Sequence, residues 1–441
     1  MSAIAGASPA CAIPGTPLAN AAAGLDACVH CGFCLQACPT YVNLEDENDS
    51  PRGRLVLMRR LLEGDVPLDD ADIGTHLDRC LGCRACETAC PSGVPFGDLL
   101  EATRATMAPV RGIPLVARFV LAVFTRTSVL RVGLVIARVV RDTGLPRLLA
   151  RVLPERLAFP MAMLASTVPV RLSSPRDGGQ VPSADLAFSD SPSREQRVTC
   201  LIGCVMGGLF GHVNAATARV LVHNGFTLVE TAHQHCCGAL HAHAGDLAGA
   251  RALARRNIVA FEASGASTIA VNSAGCGAML KQYGHLLHDD TTWAARAAGV
   301  AARTRDISEL LADAGVRQGA PIALRVTHDP PCHQLHAQRV VQQPLAVLAA
   351  IPGLDLVPLE DADQCCGSAG IYNLIEPDTS NAVLTPKLSR IAESRATLVA
   401  TGNPGCMMQL GAGLLRSGSS ARVVHPVELL DASYGGPDST R

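Results

Sequence analysis

Apolar positions recur along this chain in two rhythms. Early on, the spacing predicts a helix over Arg52–Glu63. From residue 196 the pattern alternates between short β-branched runs and longer helical stretches. Val198–Ile202, Thr227–Glu230 and Thr268–Val271 read as strands, with helices near Asn214–Asn224 and over Asp246–Ala263. The order returns in Ile322–Thr327, Leu354–Val357 and Ala396–Ala400, with helices over Gln338–Ala350 and near Ser380–Glu393. Strand, helix, strand, helix, strand, twice over, predicts two repeated α/β domains. Their cysteines fall near strand ends, where open α/β sheets place ligands.

The stretch between is different. Arg111–Arg156 holds nine arginines against Asp142 and Glu155, a local net charge of +7, and arginine interrupts apolar runs such as Phe119–Phe124 and Val132–Ile136. Residues 157–170 give only fourteen uncharged positions, with prolines at 160 and 169, and 263–280 is polar around Cys276, so neither reads as a membrane span. The basic segment reads as an amphipathic partner-docking stretch, with an acidic membrane surface, or packing on the protein's own acidic stretch Glu45, Asp46, Glu47 and Asp49, as the alternatives. The expected divisions are 1–24, frayed; 25–105, a mostly helical double-cluster domain; 106–195, a basic helical linker; 196–318 and 319–432, the two α/β repeats; and 433–441, a tail. The fold class is therefore mixed, α+β and α/β.

Composition narrows the chemistry. Eighteen cysteines in 441 residues are too sparse for a disulfide scaffold, and a chain this long buries a core without staples. The N-terminus has no basic and apolar signal pattern, so a cytoplasmic chain, at most peripheral on the membrane, is expected, with cysteines as metal or redox groups. Neither Lys281 nor Lys387 sits in a phosphate loop, and Gly411-Ala-Gly413 and Gly275-Cys-Gly277 lack the third glycine of a dinucleotide fingerprint. A net charge of −2 with fourteen aromatics argues against nucleic acid.

The cysteines are themselves repeated. Cys28-x-x-Cys31-x-x-Cys34-x-x-x-Cys38-Pro39 returns 52 residues later as Cys80, Cys83, Cys86 and Cys90-Pro91. This is the bacterial ferredoxin run for [4Fe–4S] clusters, in which the fourth thiolate ligates the other cluster. It assigns Cys28, Cys31, Cys34 and Cys90 to one cluster, and Cys80, Cys83, Cys86 and Cys38 to a second. Zinc fits eight cysteines in two identical runs poorly. Two one-electron centres suit the splitting of a flavin's electron pair, whereas fold-stapling needs no such duplication. Further on, Cys204, Cys236-Cys237-Gly238 and Cys276 return as Cys332, Cys365-Cys366-Gly367 and Cys406, at offsets of 128 to 130. Each set suits a cluster, zinc, a dithiol couple or inert burial, with a metal or redox centre favoured. Glycine after each pair would let the backbone approach a bulky centre. Cys200 reads equally as an auxiliary ligand or a buried thiol, and Cys11 as a bystander. The histidines around the first pair, His233, His235, His241 and His243, offer metal ligands or proton carriers but read rather as polar loop residues; His333, next to Cys332, and His336 are better placed as ligands, yet the same reading is favoured.

The double ferredoxin run, the intervening Pro51-Arg52-Gly53-Arg54 and the two CCG repeats together resemble the iron–sulfur subunit family of glycolate oxidase, from about residue 25 to 430. That resemblance implies a chain without catalytic residues or FAD of its own. It would work beside FAD-binding glycolate oxidase subunits and pass electrons onward, with quinone as the expected acceptor. Lactate and glycerol-3-phosphate dehydrogenase subunits and heterodisulfide reductase share the CCG domain, which leaves their activities as alternatives. Heterodisulfide reductase-like domains end their pattern in C-x-x-C. Here Met279 and Gln409 hold the last position, which leaves open whether one or both repeats carry a further cluster.

Overall fold

A computed structural model describes residues 11–172 and 196–436. The first module is helical. Its longest elements, Pro51–Glu63 and Phe96–Arg111, bury Met58, Leu61, Leu99 and Leu100 against Leu77 of Ala71–Asp78. Ser50 caps the first of these by accepting from the Gly53 N–H at 2.9 Å, Pro51 supplies the preset first turn, and Gly64 ends it at φ +78°.

Residues 11–24, expected to be frayed, are partly sewn onto this module. Helix Pro17–Asn20 drives Leu18 to zero exposure, and the Leu18 N–H donates to Thr106 Oγ1 at 3.0 Å. The apolar anchor in an Ala/Gly/Pro-rich setting was the missed signal. Residues 1–10 lie outside the described residues. Helix Phe96–Arg111 also runs through the expected boundary at 105.

Each α/β repeat is a four-stranded parallel sheet. In the first, β1 (Arg197–Cys200), β2 (Thr227–Leu228), β3 (Thr268–Val271) and β4 (Thr304–Asp306) stand in the order β2-β1-β3-β4. In the second, β5 (Arg325–His328), β6 (Asp355–Val357), β7 (Leu398–Ala400) and β8 (Arg422–Val424) repeat it as β6-β5-β7-β8. The edge strands β4 and β8 were not foreseen, because three residues beginning Thr-Arg or Arg-Val carry no periodicity. The helix expected over Gln338–Ala350 is shortened at its start to Gln343–Ala349. A single π-helical turn, His333–Ala337, precedes Gln343–Ala349, with Arg339 at φ +60° between them.

One core joins the two sheets. Val198 and Ala270 of the first share it with Val326, Leu398, Ala400 and Val424 of the second. The Ala274 N–H donates to the Gly402 carbonyl at 3.0 Å, and Arg219 forks onto both oxygens of Asp431 at 2.9 and 2.6 Å. The intervening segment forms helices Leu115–Thr125, Thr127–Asp142, Leu145–Val152 and Glu155–Ser166. They are more than a connection. Leu134 packs on the shared core, while Phe159 and Ala162 pack with Leu384 and Leu410 of the second repeat. Residues 173–195 lie outside the described residues.

Candidate metal centres

In the helical module, the loop from Cys28 to Cys38 coils with His30 at φ +53° and Gly32 at φ +84°. One small cavity is bordered by Cys28, Cys31, Cys34 and Cys90, and a neighbouring one by Cys38, Cys80 and Cys83, with Cys86 touching both. Each run thus sends its last thiol towards the other run's cavity. Burial pushes the Cys83 and Cys86 thiols well above their ordinary values, as neutral thiols in a dry pocket should be. A cationic centre would displace those protons, and an all-sulfur donor set fits an iron–sulfur cluster.

Arg54 of the Pro-Arg-Gly-Arg segment is fully buried beside the second cavity. It donates to the His76 carbonyl at 2.7 Å, to Thr40 Oγ1 at 3.0 Å and to Asp49 Oδ1 at 3.1 Å, with Cys38 Sγ 3.9 Å away. Gly53 has a packing reason of its own: a Cβ there would lie 1.9 Å from the Glu47 carbonyl oxygen.

The CCG thiols gather beyond the carboxyl ends of the strands. Cys204 follows β1 and Cys276 follows β3, the two strands flanking the point where strand order reverses, and Cys332 and Cys406 stand likewise beside β5 and β7. In the first repeat hydrogen-bond contacts link Cys204 to Cys236, Cys236 to Cys237, and Cys237 to Cys276. Accepting from Cys204 and Cys237 holds Cys236 well below its ordinary value, while those two partners are pushed up. In the second repeat the chain runs Cys332, Cys365, Cys366, Cys406. Its hydrogen bond to Cys365, with burial, pushes Cys332 well up. Four clustered thiols, mostly holding protons, form a donor set that suits a cluster, zinc or a dithiol couple.

Cys200 is not brought to the four. It packs on the shared core, whereas Cys204, Cys236, Cys237 and Cys276 belong with the core on the other side, and burial alone pushes it to about 12. Met279, 3% exposed, lines the central cavity beside Cys276. Gln409 is tied down instead: its Nε2 donates to Ser380 Oγ at 2.9 Å and its Oε1 accepts from Asn373 at 2.8 Å. The glycines after each pair serve a neighbouring helix. A Cβ on Gly238 would meet the Ala250 carbonyl oxygen at 3.2 Å, and one on Gly367 the Ser380 oxygen at 2.5 Å. The expected approach to a bulky centre is replaced by close helix packing.

All eight CCG thiols, together with Cys80 and Cys83, face one cavity of about 850 Å³ between the three modules. Cys83 packs with Cys332 and Cys365 in a small apolar cluster. Histidines fasten this junction, a role the sequence reading missed. His243 Nδ1 meets Glu101 Oε1 at 2.8 Å, His333 Nε2 meets the Gly82 carbonyl at 3.0 Å, and His336 Nδ1 meets Thr88 Oγ1 at 2.9 Å. His235 and His241 reach Thr127 and Thr125.

The family model for a 4Fe-4S dicluster domain matches residues 24–94, and that for a cysteine-rich domain matches residues 198–281 and 326–411. The chain is 36% identical over 429 residues to the "Probable glycolate oxidase iron-sulfur subunit" of Bacillus subtilis (strain 168), covering 92% of this chain and 94% of that protein. It is 34% identical over 415 residues to the "Glycolate oxidase iron-sulfur subunit" of Escherichia coli (strain K12), covering 92% and 93%. Similarity to "Lactate utilization protein A" of Geobacillus kaustophilus is 30% over 238 residues, 54% of this chain and 99% of that one.

Proposed function

The chain belongs to the family of glycolate oxidase iron–sulfur subunits, and from that premise we propose that it conducts electrons from FAD on partner subunits, where glycolate is oxidised, to an acceptor. Two [4Fe–4S] clusters supply one-electron steps that divide a flavin's electron pair. Cys28, Cys31, Cys34 and Cys90 would hold one, and Cys80, Cys83, Cys86 and Cys38 the other. The carrying observation is the shared apolar cluster of Cys83, Cys332 and Cys365, which puts the second ferredoxin set against the second CCG set. It supports a route from the ferredoxin module into the central cavity; quinone as the acceptor rests on the family resemblance alone.

A second part of the reading concerns where the complex works. No single helix among the described residues is long and apolar enough to cross a membrane, and the pair Phe96–Arg111 and Leu115–Thr125 turns through 110°. Instead Val132, Val135, Ile136 and Val139 are exposed on Thr127–Asp142 among the exposed arginines Arg126, Arg131 and Arg138. Those arginines have no ion-pair partner among the described residues. An apolar face rimmed by unpaired cations is complementary to an anionic lipid surface.

Anaerobic iron and sulfide counting with electron paramagnetic resonance tests the ligand sets. Eight irons fill the ferredoxin pair, and twelve or sixteen fill one or both CCG sets. The isolated chain should not turn over glycolate, and should do so once combined with the flavin subunits. Turnover by the flavin-free chain would sink the proposal. A rival reading, disulfide reduction at the CCG thiols, draws support from Cys236 at the cavity wall, whose thiol is held below its ordinary value by accepting from Cys204 and Cys237. In that case Cys365→Ala would abolish disulfide turnover with the ferredoxin clusters intact.

A further inference from the structure

We propose that Arg54 is a positioning residue for electron transfer within the helical module. Its buried guanidinium raises the reduction potential of the centre held by Cys38, Cys80, Cys83 and Cys86 above that of the centre held by Cys28, Cys31, Cys34 and Cys90. An electron shared between the two sets then settles on the side facing the CCG thiols. This rests on the two-cluster reading above and gives the transfer between the sets a direction.

The two sets sit in different surroundings. Cys38, Cys80 and Cys86 are buried, whereas Cys31 is exposed and Cys28, Cys34 and Cys90 are half-buried. Each set has its own arginine from the Pro-Arg-Gly-Arg segment. Arg52 stands by the first, where a Cβ on Gly32 would lie 3.1 Å from its Nη1. Its side chain is 33% exposed and is matched by Glu47, to which its Nε donates at 2.6 Å. Arg54 stands by the second set at zero exposure, with its Nη1 3.9 Å from Cys38 Sγ.

The charge beside the second set is not cancelled. Asp49 is also fully buried, and its Oδ1 accepts from Arg54 at 3.1 Å while its Oδ2 accepts from Arg79 at 3.0 Å. Two guanidiniums thus face one carboxylate. Arg104 adds a further cation, its Nη2 donating to the Cys80 carbonyl at 2.8 Å. Burial would lower the Arg54 guanidinium, yet the charges of Cys80, Cys38 and Asp49 hold it above its ordinary value. It is a permanent cation.

Reduction adds one negative charge to a centre. A cation in a dry site stabilises that charge strongly, while one in water is screened. Burial by itself works in the opposite sense, because a dry site resists added negative charge. Arg54 is therefore what lets the buried thiolate set hold an electron in preference to the exposed one. The step moves one electron: the first set's centre is oxidised and the second's reduced. No bond forms or breaks, and no proton moves.

The test is an anaerobic redox titration of the full chain, read by electron paramagnetic resonance. Cys31→Ser, which perturbs the first set, tells the two signals apart. Arg54→Gln should shift the one-electron equilibrium of the second set by about tenfold, a fall of about 59 mV in its midpoint, and leave the first in place. Arg54→Lys keeps the charge and should keep most of the second midpoint. Equal falls in both variants would assign Arg54 to holding the loop alone and overturn the proposal. So would an iron-replete Arg54→Gln chain in which neither midpoint moves, or both move alike. Should the Arg54 variants lose their iron, Arg79→Gln, at the 35% exposed end of the network, takes their place. A fall confined to the second midpoint is then expected, and unchanged midpoints overturn the proposal. The unaltered chain separates the two readings. Without two cubane signals the two-cluster reading itself fails; with two signals and unmoved midpoints in the variants, only the role of Arg54 fails.

Discussion

Lys387, one of two lysines in the chain, is 3% exposed and pairs with the equally buried Asp329 at 3.1 Å while donating to the Asp361 and Ala362 carbonyls. Such a pair is weak evidence for stability, but removing one partner strands the other charge. Lys387→Met should cost about 3–5 kcal/mol in urea unfolding, with Asp329→Asn in the same chain recovering part of it. A loss below about 1 kcal/mol would mean the pair is solvated. Buried histidines set the pH response. Burial holds His212, His328, His333 and His425 at about 4 and raises Glu428 to about 7. Between pH 6.5 and 4 the unfolded chain binds protons at four histidines that the fold refuses. Between 4.5 and 7 the fold keeps one on Glu428 that the unfolded chain releases. The four histidines outweigh Glu428, so their balance lowers stability on acidification. Urea midpoints should be lower at pH 5.5 than at 7.5, and Glu428→Gln should steepen the fall; a flat or inverted profile contradicts the assignment. At this scale the thiols were legible because ligand type and spacing are local. Lys387, Glu101 and His243 were not, because their partners lie tens to hundreds of positions away.

Among the elements, the strand–helix alternation was readable in Val198–Ile202 or Asp246–Ala263, where four or more residues keep one rhythm. It failed at β4, β8 and the π-helical turn His333–Ala337, which are too short for any period. The glycine of each CCG motif was visible, yet its reason was not, since helix Pro377–Ser394 reaches Gly367 only in three dimensions. Gly367→Ala must accommodate both φ +84° and the 2.5 Å approach, whereas Gly238→Ala meets its helix at 3.2 Å. The first should be the more destabilising in thermal unfolding, and equal losses would mean that backbone strain alone decides. The basic helices make a separate prediction. Ile136→Glu with Val139→Glu places two charges on an exposed apolar face, so pelleting with anionic vesicles should fall while folding is kept. Unchanged pelleting would remove the lipid-facing role. Deleting the segment is no substitute, because Phe159 and Ala162 belong to the core of the second repeat.

For the whole molecule, duplication was plain in the offsets of 128 to 130, but its geometric result was not. The two sheets share one core and exchange backbone hydrogen bonds. Calorimetry should therefore show both repeats melting in one transition, and two resolved transitions would contradict the shared core. Their likeness is also incomplete. Where the second repeat buries Asp329 and Lys387, the first has Leu201 and Asn257, and Asn257 Nδ2 donates to the Cys236 carbonyl at 3.0 Å. Two identical chains facing each other across a twofold axis must change together, because one codon specifies both sides. Tandem fusion ends that constraint. A charge introduced beside one set of thiols need not appear beside its twin, so selection acts on each half of an ancestral pair by itself.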